Sequence, residues 1–154
     1  MDKNFTILLV LKDRPSYTMR FMNYMNHLYQ ESNPSNYPFK IVIADGGSDL
    51  NIQKTLENKS NFPNLEYQYL RYKYDETLDD FHEKMASAVD HITTPVASVL
   101  DNDDFILLEG VYNSLNFLKN NHDYSSSRGA VTNMNIFAGR LLLGSNIYSI
   151  FKDP

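Results

Sequence analysis

Two stretches of this chain are apolar at nearly every position: FTILLVL (5–11) and FKIVIA (39–44). Each stops abruptly at polar residues, KDRPS after the first and DGGSD after the second. A strand that shows one face to water alternates apolar and polar residues, whereas a run without alternation is buried on both faces. Such strands belong in the middle of a mostly parallel sheet, and parallel strands need crossover helices to connect them. The segments between the runs supply those helices. Tyr17, Phe21, Met25, Leu28 and Tyr29 fall at helical spacing after a cap at Ser16. Asp49 is placed to cap a short helix carrying Ile52 and Leu56. From Thr77, the residues Leu78, Phe81, Met85, Ala88 and Ile92 mark a third helical face. LEYQYLRY (65–72) and VASVL (96–100) read as a third and a fourth strand, the latter buried. Leu108, Val111, Leu115 and Leu118 mark a further helix, and GAVTNMNIFAGRLLLG (129–144) one or two more strands. The order is therefore β-α-β-α-β-α-β-α-β, an α/β domain with a mostly parallel sheet flanked by helices.

In open sheets of this kind ligands bind beyond the carboxyl ends of the strands, near a reversal in strand order. The residues just after each strand are therefore the ones to read. They are Lys12-Asp13-Arg14-Pro15 after the first, Asp45-Gly46-Gly47-Ser48-Asp49 after the second, Arg71 at the end of the third and Asp101-Asn102-Asp103-Asp104 after the fourth. Asp45 is suited to accept a hydrogen bond from a base N–H or a sugar hydroxyl, and Arg71 to stack on a base or pair with phosphate. The acidic knot puts three carboxylates in four positions. If the chain stays extended there, Asp101 and Asp103 project to one side, since strand side chains alternate. Two such carboxylates hold a hard divalent cation, Mg²⁺ or Mn²⁺, whose shell is completed by water and substrate phosphate. On its own, an Asp-rich segment after a strand is the ordinary composition of a solvated loop, and D-G-G-S that of a turn.

Several other chemistries are excluded. An EF-hand over DNDDFILLEGVY fails, because Phe105, Ile106 and Tyr112 occupy positions that need a ligand, a glycine and a glutamate. The four histidines, at 27, 82, 91 and 122, have no metal-binding spacing. Met19, Met22 and Met25 read as core filling. Gly129, Gly139 and Gly144 lack a dinucleotide-binding spacing, and Ser16 and Ser48 have no Ser-His-Asp arrangement. A formal net charge of −5 argues against a general nucleic-acid binder. There is no cysteine, so disulfides and thiolate metal sites are ruled out. The longest aliphatic run, ILLVL, is far short of a membrane span, and the N-terminus does not read as a signal peptide. A cytoplasmic protein is expected, with peripheral membrane association left open.

Taken in order, the motifs resemble the family 2-like glycosyltransferases with the Rossmann-like GT-A fold, which use nucleotide-diphospho-sugars. FTILLVLKDRP is similar to their first strand and its T-x-N-R-P-like exit. KIVIADGGSD resembles their V-D-D-G-S-x-D, with Asp45 at the second Asp. TTPVASVLDNDDF resembles the strand that ends in their D-x-D motif, here Asp101-Asn102-Asp103. The resemblance runs over nearly all of 1–154, taken as a single donor-binding domain. It implies sugar transfer from a nucleotide-diphosphate-sugar donor to a glycan, lipid-linked or protein acceptor, assisted by Mn²⁺ or Mg²⁺. It places Asp45 at the base, Asp101 at the ribose or sugar and also beside the metal, Asp103 at the metal, and Asp13 and Arg71 at the base or ribose. Leu11 and Ala44 depart from the family pattern, which alters the nucleotide pocket. The family's acceptor half and catalytic base lie further toward the C-terminus than IYSIFKDP (147–154), and no residue between 105 and 154 reads as that base. The expectation is the donor-binding part of a transferase, incomplete at its C-terminus. Two alternatives remain: a nucleotide-binding remnant without turnover, and a haloacid-dehalogenase-like phosphatase with Asp101 as nucleophile. The phosphatase pattern is met only in part, because Phe105 replaces its Thr or Val.

Overall fold

The two apolar runs form neighbouring strands, β1 (Phe5–Leu11) and β2 (Phe39–Asp45), paired in parallel from Phe5↔Phe39 to Leu11↔Asp45. A computed structural model describes residues 4–31, 39–127, 136–137 and 140–141. It divides into two compact units, Met1–Phe105 and Ile106–Pro154. In the first unit β3 (Tyr67–Arg71) pairs with β2, and β4 (Val96–Asp101) pairs with β1, both in parallel. The sheet order is β3-β2-β1-β4, so the chain order reverses between β1 and β4.

Every residue of β1 is buried, as the absence of alternation requires, and in β2 only Lys40 is partly exposed. One face of the sheet carries Leu8, Val10, Val42 and Ala44, packed with Ala88 and with Phe81, Met85 and Ile92. These come from α3 (Leu78–Val89) and the turn after it. Phe21, Met22 and Met25 of α1 (Pro15–Glu31) and Ile52 and Leu56 of α2 (Leu50–Glu57) are also fully buried. Each such side chain contributes about 2 kcal/mol. Tyr29 locks α1 to the start of β2, donating to the Phe39 carbonyl at 2.8 Å and meeting the Phe39 ring edge-on. Tyr67 ties β3 to α2 through the Leu56 carbonyl.

Local signals set the helix starts. Asp49 accepts from the amides of Asn51 and Ile52, and Thr77 forms a reciprocal capping box with Asp80. The cap expected at Ser16 is not formed, because the helix begins one residue earlier, at Pro15. Proline is favoured at a first helical position, where its missing N–H costs nothing. Leu78 and Tyr17, expected on apolar faces, are exposed, since each lies in the first turn of its helix. Strand β4 is a second correction. It was expected to be buried, yet Ala97, Ser98 and Val99 are exposed, because its one strand partner among the described residues is β1.

The second unit holds α4 (Leu108–Asn120) and a short antiparallel pair, β5 (Ile136–Phe137) with β6 (Arg140–Leu141). The remainder of the expected 129–144 strand region, with Gly129, Gly139 and Gly144, lies outside the described residues. Among the described residues no helix is long and apolar enough to cross a membrane.

Candidate functional site

Register brings the predicted residues to one edge of the sheet. Leu11, Asp45 and Arg71 lie side by side at the ends of β1, β2 and β3, and Asp101 pairs with Val10 at the end of β4. Asp45 is buried, and both its oxygens are used. Oδ1 accepts from the Gly47 amide at 2.8 Å, while Oδ2 accepts from the Tyr69 hydroxyl at 2.6 Å and from Arg71 Nη1 at 2.7 Å. Arg71 Nη2 also donates to the Gly47 carbonyl. Burial and the neighbouring Asp45 push the Tyr69 phenol far above its ordinary value, so it stays a hydrogen-bond donor. Burial opposes the Arg71 charge, but Tyr69 and Asp45 more than offset it.

Asp13 joins the exits of β1 and β2. Its carboxylate accepts from the Ser48 amide at 2.7 Å and the Ser48 hydroxyl at 3.0 Å. The amide, aided by the hydroxyl and Lys12, holds Asp13 below the usual aspartate value against the opposing effect of burial. Gly47 is required by this approach: a Cβ there would sit 2.6 Å from the Asp13 amide nitrogen. Asp13 and Arg14 both have left-handed backbone, at φ 57° and 55°. For residues other than glycine this costs roughly 1–3 kcal/mol each and persists only where the surroundings enforce it.

Beneath this edge lies an ion pair that sequence reading did not find. Lys84 and Asp75 are each 2 % exposed, and the ammonium bonds both the Asp75 carboxylate and the Leu11 carbonyl. The Asp75 amide donates to the Gly46 carbonyl, the Gly46 amide to Leu11, and the Lys12 ammonium to the Asp75 carbonyl. A side chain at Gly46 would run into the Asp75 carboxylate. The signal was present in α3, where Lys84 stands three residues after Phe81 and four before Ala88, within the apolar stripe.

The acidic segment is built differently from the expected extended one. β4 ends at Asp101, and the chain then turns, with the Asp104 amide bonded to the Asp101 carbonyl. The same-side argument for Asp101 and Asp103 therefore does not apply. Asn102 points inward, 5 % exposed, bonding Thr18 Oγ1 at 3.0 Å. Asp103 meets Arg14, Oδ2 to Nη1 at 2.9 Å, and its carbonyl accepts from Arg20 at 3.0 Å. Arg20 stacks on both Tyr17 and Phe105. The Asp101 carboxylate has no hydrogen bond or ion pair among the described residues. Burial, then the charges of Asp103 and Asp101, raises Asp104 above its ordinary value. Asp104 does not cap the next helix. The residue preceding α4 is Leu107, which makes no side-chain cap.

Among the described residues no three His, Asp or Glu side chains gather as a metal cluster. The chemistry of the donor set, though not a shared geometry, suits a hard divalent cation, since carboxylates are the ligands such ions take. Mg²⁺-like ions beside phosphates take one or two protein carboxylates and complete their shell with water and substrate oxygens. Asp101 at the end of β4, without a partner among the described residues, and Asp103 in the turn after it, paired with the exposed Arg14, are two carboxylates of that kind.

The sequence matches no family model and no curated protein. Its fold does match solved structures. A mannosyltransferase, PcManGT from Pyrobaculum calidifontis, in complex with GDP-Man and Mn²⁺, aligns with TM-score 0.59 at 12% identity. TarS from S. aureus aligns with TM-score 0.56 at 18% identity, both as its 1–349 portion and at greater length. Each alignment covers 77% of this chain. It spans 33% of the mannosyltransferase and of TarS 1–349, and 20% of the longer TarS chain. The α/β, parallel-sheet architecture expected from the GT-A resemblance is thus the one observed, and the chain spans a third or less of those proteins.

Proposed function

We propose that this chain forms the donor-binding part of a glycosyltransferase that takes a nucleotide-diphosphate-sugar and uses a divalent cation. The observation that carries the reading is the single sheet edge, at the reversal between β1 and β4, where Asp13, Asp45, Arg71, Asp101 and Asp103 are gathered. The likeness to a mannosyltransferase in complex with GDP-Man and Mn²⁺ supports it.

Each residue then has a physical task. Asp45 fixes Arg71 and Gly47, and through them shapes the wall against which the base and ribose lie. Asp13, held ionised by Ser48, stands beside it and adds base or ribose contacts. Asp101 faces the ribose or sugar and shares the cation with Asp103. Asp101 and Asp103 would hold the divalent cation, which when bound would supply positive charge to offset that of the leaving diphosphate. The general base and the acceptor site are not assigned to any described residue.

The test is calorimetric titration of the chain with UDP and with GDP, with and without Mn²⁺. Binding of one nucleotide, strengthened by Mn²⁺ and lost in Asp103→Asn, is expected. No Mn²⁺-dependent binding of either nucleotide would sink the reading.

A further inference from the structure

Most cations at the strand exits have settled partners. Lys84 is buried with Asp75, Arg71 is bound to Asp45, Lys12 donates to the Asp75 carbonyl, and Arg20 is stacked on two aromatic rings. Arg14 is different. Its side chain is 59% exposed, and the guanidinium's partner among the described residues is Asp103 Oδ2, at 2.9 Å. That partner is the carboxylate assigned to the metal side of the proposed donor site.

The aim of Arg14 is enforced by the backbone. Two successive left-handed residues, Asp13 and Arg14, send the side chain from the exit of β1 toward that of β4. Ser48 holds the Asp13 carboxylate, and the amides of Tyr17 and Thr18 hold the Arg14 carbonyl. Backbone strain held in place this way concentrates at ligand sites and switches. The strain here has a visible product, a cation delivered to Asp103.

We propose that Arg14 is an exchangeable counter-ion. It holds Asp103 while no divalent cation is present, gives the carboxylate up when cation and nucleoside diphosphate bind, and turns its guanidinium to the diphosphate oxygens. The inference rests on the donor-site reading above. An exposed ion pair is weak and readily exchanged, and a planar guanidinium is well matched to phosphate oxygens. The two roles have opposite consequences. Arg14 competes with a cation offered alone, and helps bind the nucleotide once the cation is in place.

The test uses the 154-residue chain and its Arg14→Gln and Arg14→Lys variants. Each is titrated by calorimetry with MnCl₂ alone, then with UDP and GDP at saturating Mn²⁺. Arg14→Gln is expected to bind Mn²⁺ alone about two- to fivefold more tightly and the nucleoside diphosphate about tenfold more weakly. Arg14→Lys should fall between wild type and Arg14→Gln in both titrations, and carries the same sign test should glutamine unfold the loop. Changes of the same sign in both titrations, as loss of a mere loop strut would give, overturn the proposal. No change in either, as an idle surface pair would give, also overturns it. Wild type with no Mn²⁺-dependent nucleotide binding overturns the donor-site reading and this proposal together. Wild type that binds, with variants that fail the sign test, overturns this proposal alone.

Discussion

Strands β2 and β4 both end in aspartate, Asp45 and Asp101, and the two carboxylates live in opposite environments. Asp45 is 1% exposed and accepts hydrogen bonds from Gly47, Tyr69 and Arg71. Asp101 is exposed and has no such partner among the described residues. β2 has strands on both sides, which withdraw its end from water and surround it with donors. β4 has one strand partner, so its end and the turn after it remain wet. The β2 side is thus completed by the protein, and under the proposed function a base or ribose would meet a wall already fixed by hydrogen bonds. The β4 side carries three exposed carboxylates, Asp101, Asp103 and Asp104, and under the proposed function it would be completed by the cation and the diphosphate. Preorganisation at one side and ligand-dependent completion at the other is the division of labour that the proposed function implies for this sheet edge.

That contrast can be broken most severely beneath the finished side. Lys84→Met strands the buried Asp75 carboxylate and is expected to cost about 3–5 kcal/mol in urea unfolding. The double variant Lys84→Met/Asp75→Leu should recover much of that loss, because no buried charge is then left unpaired. Next in size, Asp45→Asn weakens the charge-assisted bond to Arg71. A loss of about 1.5–3 kcal/mol is expected, together with weaker nucleotide binding in the same titrations.

A smaller, pH-dependent effect is expected at Asp13. Its folded-state pKa lies below its unfolded value, so its contribution is present above the ordinary aspartate range and is lost as pH falls through the folded value. Thermal melts of Asp13→Asn should therefore fall below wild type at neutral pH and converge with it in acid. A gap that persists in acid would show that the loop had changed shape for another reason. The smallest effect on stability belongs to the open side. Asp101→Asn and Asp103→Asn are expected to shift unfolding by no more than about 0.5 kcal/mol, while abolishing the Mn²⁺-dependent part of nucleotide binding. A stability loss as large as that at Asp45 would show that both sides are structural.

Much of this edge was legible in the order of residues. Unbroken apolar runs predicted β1 and β2, the cap at Asp49 and the helix from Thr77 were plain, and Asp13, Asp45, Arg71 and Asp101 all fall at strand exits. Three things were not legible. The apolar run VASVL predicted burial, but burial of a strand depends on what lies beside it, and β4 stands next to β1 alone among the described residues. The period-two argument for Asp101 and Asp103 assumed extended chain where the backbone turns. Arg14 gave no sign of reaching Asp103, 89 positions away.

The sequence by itself determined the layer architecture and which residues stand at the ends of the strands. Local hydrophobic period and capping chemistry depend on neighbours within a few residues, and such neighbours are written in order along the chain. Only the tertiary structure decided which of those end residues are neutralised within the fold and which remain open. That Asp45 is closed by Arg71 and Asp103 by Arg14 follows from sheet order and register, which bring charges together from segments distant in sequence.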